Sequence, residues 1–193
     1  LAVMMALVQH DMKRLLSYHA VSQVGYMVLG IGTGTMIGIA GGLFHMLNNA
    51  LYKSCLFLCA GSVEKKTGTA DLDRLGGLAR GMPWTFAAFF VAALSISGIP
   101  PLNGFASKWM IYQGIVAVGS SGGFLWVVWL IAAMLGSALT LASFVKLLHA
   151  VFLRKAPSTE GRKGVTESPA PMVFSMVFLA AMCVLFGVAA YRL

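Results

Sequence analysis

Gly41-Gly42-Leu43-Phe44-His45-Met46-Leu47-Asn48-Asn49-Ala50-Leu51-Tyr52-Lys53 is a polar stripe inside an otherwise apolar run from Ile37 to Gly61. A helix crosses a bilayer with about 20 mostly apolar residues, so this run is long enough to span. His45, Asn49 and Lys53 are spaced four apart and are expected to stack along one helical face. A lysine deep in a span costs about 2.5–3.5 kcal/mol on insertion scales, so its presence calls for a function. The stripe therefore points to a membrane helix with a working polar face.

Composition agrees. The chain is 59% hydrophobic and 10% charged, with a mean hydropathy of +0.83, the profile of an integral membrane protein. Cys55, Cys59 and Cys183 lie in apolar runs. Cys55 and Cys59 are one turn apart with no clustered third and fourth ligand, so they read as small packing thiols and no metal is expected. No nucleophile with its base, paired acids, phosphate loop or four-cysteine cluster set is visible, so no cofactor and no redox chemistry are expected of this chain. It opens on Leu1, and Leu1–Val8 is apolar but too short to span, which reads as a fragment beginning inside a helix.

The expected architecture is an all-α polytopic membrane protein, a single membrane domain over residues 1–193. After a partial span at 1–9 come span A (15–31), span B (37–61), span C (84–112), span D (123–152) and span E (171–191). Span C is interrupted at Ser97-Gly98-Ile99-Pro100-Pro101-Leu102-Asn103-Gly104. The two prolines remove backbone donors, and Gly98 and Gly104 loosen the flanks, so a continuous helix is not expected there.

Alternating the loops between two sides sorts the charges. One side carries Lys13, Arg14, Lys65, Lys66, Arg74, Arg80, Arg154, Lys155, Arg162 and Lys163, whereas the other carries Arg192 alone. The positive-inside rule makes the first side cytoplasmic, with loops 62–83 and 154–169 there, as in a cell inner membrane. The net charge of +8 is thus an orientation signal, and no nucleic-acid partner is implied. Lys53, Lys108 and Lys146 remain within the spans. The 6 acids (Asp11, Glu64, Asp71, Asp73, Glu160 and Glu167) all fall in the connections of that same side. A carboxylate partner for the buried lysines must therefore come from elsewhere, and other membrane subunits are the expected source.

Each polar residue has two readings. Lys53 lies about 12 Å along its helix from the end of span B, within partial reach of snorkelling. Asn49, His45, Gly42 and Gly38 continue beneath it, however, and small and polar residues suit contact with another helix or with water. A free imidazole titrates near neutrality, so His45 could pass protons along that face. Lys108 follows the double proline. Non-helical backbone at membrane depth is tolerated where it is buried in protein or lines a cavity, and interrupted helices point to transport sites. The other reading is a kinked helix with Lys108 near the outer surface. Lys146 and His149 either snorkel or line a route. His19, Ser22, Gln23 and Tyr26 give span A a polar face that serves helix packing or a proton relay.

Four ordered motifs go further: Asp11-Met-Lys-Arg-Leu-Leu-Ser-Tyr-His-Ala-Val-Ser-Gln-Val-Gly-Tyr-Met27, Phe44-His45 through Tyr52-Lys53-Ser-Cys-Leu-Phe-Leu58, Leu75-Gly-Gly-Leu78, and Ser97-Gly-Ile-Pro-Pro-Leu-Asn-Gly-Phe-Ala-Ser-Lys108. Over about Gln9 to Tyr112 the chain resembles the antiporter-like proton-conducting subunits of complex I, multisubunit Na⁺/H⁺ antiporters, energy-converting hydrogenases and formate hydrogenlyase. The resemblance implies two inverted five-helix repeats with one broken helix each, this chain supplying most of the second. It also implies that Lys53 is the central channel lysine, His45 a channel histidine and Lys108 the broken-helix lysine of the exit half-channel. Many relatives carry a second histidine where this chain has Asn49, which cannot titrate, so water would have to bridge that position. The expected function is proton translocation within a redox-driven pump. The alternatives are a Na⁺/H⁺ antiporter subunit and a non-pumping structural subunit.

Overall fold

The computed structural model describes residues 1–119, 124–155 and 165–191. The expected start of span D at Gly123, the loop residues Glu160, Arg162 and Lys163, and Arg192 lie outside the described residues. Among the described residues the architecture is all-helical: α1 (Ala2–Leu7), α2 (Met12–Gly32), α3 (Met36–Thr67), α4 (Pro83–Ser97), α5 (Asn103–Gly119), α6 (Leu125–Leu148) and α7 (Ala170–Ala190). A 3₁₀ turn at Leu78–Arg80 precedes α4, and a π-helical turn at His149–Leu153 prolongs α6.

The ends are set by local chemistry. Asp11 accepts from the Arg14 N–H at 2.8 Å and starts α2, and Thr35 does the same for Gly38 at 3.1 Å to start α3. Gly68, at φ +73°, closes α3 with a left-handed cap. The N-terminus of α4 is capped from a distance: Glu167 accepts from the Trp84 N–H at 2.9 Å and the Thr85 hydroxyl at 2.6 Å. A carboxylate there also complements the positive end of the helix dipole.

Several helices exceed the expected spans. Helix α3 continues six residues past Gly61, because Ser62–Thr67 keep helical spacing and Lys65 and Lys66 suit its negative C-terminal end. Helix α5 runs to Gly119 rather than Tyr112. The interruption is narrower than Ser97–Gly104: Ser97 ends α4 while Asn103 and Gly104 open α5, and the residues between hold Gly98 at φ +81° and a cis Pro100–Pro101 bond.

Helix α3 is the hub and packs against α2, α4, α5 and α7. Its approach to α5 is backbone to backbone, since a Cβ added to Gly114 would lie 2.5 Å from Gly38 Cα. Close small-residue contact of this kind is how helices associate without a hydrophobic driving force between them. The polarity is turned inward. His19, Gln23, His45, Asn48, Lys53, Asn103, Ser107 and Lys108 are buried, while Val21, Val24 and Val28 of α2 and Phe174, Phe178 and Leu185 of α7 face outward. Leu125–Leu153 and Ala170–Ala190 are long and apolar enough to cross a bilayer by length and composition alone. Helices α2, α3 and α5 carry the polar residues that this packing buries.

Candidate functional site

The buried polar groups form a line between α2, α3, α5 and α6. At one end Lys53 reaches from α3 to α2, where its Nζ donates to the Leu16 carbonyl at 2.7 Å and lies 5.9 Å from the Phe57 ring centre. One turn further along α2, His19 Nε2 sits 2.8 Å from Ser143 Oγ of α6. One turn beyond that, Gln23 Oε1 is 3.1 Å from His45 Nε2. The other nitrogen of His45, Nδ1, lies 2.9 Å from Ser107 Oγ on α5.

The next α5 residue is Lys108. Its Nζ donates to the Ile96 carbonyl at 2.8 Å and lies 4.9 Å from the Tyr26 ring centre. Ile96 is in the last turn of α4, where carbonyls have no intrahelical donor, so the ammonium meets both an orphan acceptor and the negative end of the helix. Tyr26 then donates to the Ala133 carbonyl and lies 3.0 Å from Ser137 Oγ, which in turn is 2.8 Å from the Tyr112 hydroxyl. From Lys53 to Tyr112 the line links four helices.

The broken helix is locked to α3 by an asparagine pair. Asn48 donates to the Asn103 carbonyl and Asn103 donates to Asn48 Oδ1, both at 3.0 Å, and the Ser95 hydroxyl donates to Asn103 Oδ1. Position 104 must be glycine, because an added Cβ would fall 1.8 Å from the Ser95 carbonyl oxygen.

The expected residues divide accordingly. Lys53, His45, His19 and Lys108 are all buried and brought into one line. Asn49 is only half-buried, and its Oδ1 has no partner; its neighbour Asn48 makes the inter-helix contact instead. Lys146 stands apart, donating to the Leu7 and Gln9 carbonyls at 2.8 and 3.1 Å, just beyond α1. His149 is exposed. Gly98, Pro100, Pro101 and Gly104 shape the break. Ser107, Ser143, Asn48 and Tyr52 join the site without having stood out in the sequence; the signal they carry is an i, i+3, i+4 phase on their helices rather than any distinctive residue type.

Among the described residues, neither lysine of the line is paired with a carboxylate, and no His, Cys, Asp and Glu cluster able to hold a metal is found. Cys55 packs with its Sγ 3.4 Å from the Met176 carbonyl.

An all-helical bundle, apolar outside and cationic inside, with a helix broken beside a buried lysine, defines the class as a polytopic membrane protein. Residues 1–152 match the family model described as NADH:quinone oxidoreductase/Mrp antiporter, TM, and the chain belongs to that family. It is 38% identical to formate hydrogenlyase subunit 3 of Escherichia coli K12 over 96% of this chain and 33% of that one. It is 37% identical to a Na(+)/H(+) antiporter subunit of Alkalihalophilus pseudofirmus over 97% of this chain and 36% of that one. Among solved structures it matches a chain of the archaeal membrane-bound sulfane sulfur reductase at TM-score 0.88 and 34% identity, covering 99% of this chain and 31% of that one. It also matches a chain of respiratory complex I from Thermus thermophilus at TM-score 0.82 and 28% identity, covering 97% and 38%. The chain thus spans about a third of the length of the relatives it matches. These relatives are integral subunits of multi-subunit membrane complexes, and this chain is likewise an antiporter-like membrane subunit.

Proposed function

We propose that this chain conducts protons within a redox-driven membrane complex, along Lys53, His19, Gln23, His45 and Lys108, with water filling the gaps. The observation that carries the reading is the row of buried polar side chains, cationic at two points and free of carboxylates among the described residues. A buried cation without an acid is costly unless its charge changes or a counter-charge arrives. The counter-charge is assigned to carboxylates of neighbouring subunits or of other parts of the same subunit. The names of the relatives support an ion-translocating role, the hydrogenase and complex I members favouring H⁺ driven by redox chemistry and the antiporter members a Na⁺/H⁺ exchange.

In this reading the chain is the second of two inverted repeats, α4 and α5 being its broken helix. The loops at 62–83 and 154–169 face the cytoplasm from the inner membrane, as their cations require. Lys146 closes the end of α1 and lies off the route. The test is the full-length subunit in its own complex with Lys53→Ala, reconstituted into vesicles. Loss of proton movement with normal assembly is expected, and undiminished pumping would overturn the proposal.

One observation favours a second reading. The Nζ of Lys53, Lys108 and Lys146 each donates to a main-chain carbonyl, as a purely structural cap would. A structural role predicts that Lys108→Met lowers complex abundance while the protons moved per electron in the surviving complex are unchanged.

A further inference from the structure

His45 has a partner at each ring nitrogen, and the two differ in kind. Ser107 Oγ, next to Nδ1, also lies 3.2 and 3.3 Å from the Gly104 and Asn103 carbonyls. On the other side Nε2 faces Gln23 Oε1 at 3.1 Å and, more loosely, the Tyr52 hydroxyl at 3.4 Å. Gln23, His45, Tyr52 and Ser107 are all at 0% exposure, so bulk water does not substitute for any of them. Gln23 Nε2 nonetheless has no partner, which leaves its donors unmet.

A glutamine amide carries an acceptor at one end and two donors at the other within nearly the same volume. With Oε1 towards the ring, Nε2 of His45 must carry the hydrogen. If Nδ1 carries one too, it donates to Ser107, whose own hydrogen goes to main chain, and both ring nitrogens of the imidazolium have an acceptor, the amide NH₂ of Gln23 alone being left without one. Turned about, the amide NH₂ donates to an Nε2 lone pair and suits the neutral ring protonated at Nδ1. The bonds of Ser107 are the same in both arrangements. A neutral ring protonated at Nε2 also fits the first orientation, but it draws the Ser107 hydrogen away from the two carbonyls.

We propose that Gln23 is a positioning residue for proton transfer, its side-chain amide reversing as His45 gains or loses a proton. The inference rests on His45 being a proton carrier, as proposed above. The balance is a single proton. It comes onto Nε2 through water from the Lys53 ammonium, which is left a neutral amine, and it leaves through water to a neutral Lys108, which becomes an ammonium; Gln23 neither gains nor loses a hydrogen. The reversal spares a fully buried histidine the cost of an unmatched partner in either charge state; one turn away on the same helix, His19 Nδ1 is unpartnered like the free end of the amide. The other titratable groups about the ring are Lys108 and Tyr26 on the α5 and α2 side, Tyr52 on its own helix, and Lys53 and His19 one to two turns away.

The test compares three variants of the full-length subunit in its assembled complex. Gln23→Met keeps the length without an amide, Gln23→Glu fixes an acceptor, and Gln23→His presents a donor or an acceptor as glutamine does. Proton uptake per electron in vesicles is read beside the infrared ring modes of ¹⁵N-labelled histidine across pH, with a His45→Gln sample subtracted. Gln23→Met should lose about tenfold or more of translocation, within the usual weight of one proton-transfer group. Gln23→Glu should hold the imidazolium signature to higher pH and stop translocation, and Gln23→His should retain most of it. The proposal is overturned if Gln23→Met translocates normally, or if Gln23→His behaves like Gln23→Met. Should Gln23→Met fail to assemble, the contrast between the Glu and His variants decides in the same way. The ring signature needs no pumping, so it still reports on the amide if Lys53→Ala shows that the transport reading itself is wrong.

Discussion

Cations at the loop surface and cations in the bundle interior are treated differently by this fold. At the surface Lys13 pairs with Glu64, His10 Nδ1 lies 2.8 Å from Asp73, and Arg154 reaches the Leu72, Asp73 and Leu75 carbonyls. Inside, among the described residues, Lys53 and Lys108 meet carbonyl dipoles and ring faces. These surface charges are settled within the chain, whereas among the described residues the interior ones have no carboxylate. A permanent structural cation is best served by a fixed carboxylate. A charge that has to come and go is better served by dipoles, which hold the ammonium without preventing its loss.

The sharpest way to break this contrast is to remove an interior cation. Lys53→Ala should abolish translocation, and a fall of at least tenfold needs only about 1.4 kcal/mol on the transfer barrier. Assembly, followed by native electrophoresis, should persist, because the Leu16 carbonyl stays bonded within its helix. If abundance falls and coupling survives, the interior cations are structural after all and the contrast disappears.

Next in size is Gly104→Ala. The added methyl would drive into the Ser95 carbonyl at 1.8 Å and part α5 from α4. Overpacking costs about 1–3 kcal/mol when neighbours can yield, and backbone oxygen yields poorly. The expected result is a steep loss of assembled complex. Lys146→Met should have a smaller effect, weakening the α1–α6 contact by about 1 kcal/mol as two carbonyls lose a charged donor. Its readout is the thermal midpoint of the complex, with translocation per electron unchanged.

Sequence alone made the fold readable because apolar length, the Pro100-Pro101 break and the asymmetric cations are local signals. It drew attention to Lys53, His45, His19 and Lys108, all four of which are buried, since a charge or an imidazole in an apolar run stands out wherever it points. Asn49 shows the limit. Steps of four residues drift by about 40° per step around a helix, so His45, Asn49 and Lys53 do not keep to one line. The buried face of α3 instead follows Gly41, His45, Asn48, Tyr52 and Cys55. Lys53 returns to the interior only because its long side chain crosses to α2. The partners of Gln23, Ser107 and Ser143 follow from which helix lies opposite, a tertiary fact that helical phase alone does not supply.

The smallest effect belongs to the surface pair, and it is the one that fixes where the boundary lies. The side chains of Lys13 and Glu64 are 47% and 38% exposed. Exposed ion pairs of this kind contribute about 0–1 kcal/mol, less in salt, so Glu64→Gln should shift the thermal midpoint of the complex hardly at all. Translocation should be unchanged as well, since Asp11 and Gly68 set the nearby helix ends without Glu64's carboxylate. The measurement is proton uptake per electron in matched vesicles at low and high salt. A marked loss would mean that Glu64 acts as the missing acid at the mouth of the line, and that the division between settled surface charge and unsettled interior charge lies deeper in the bundle.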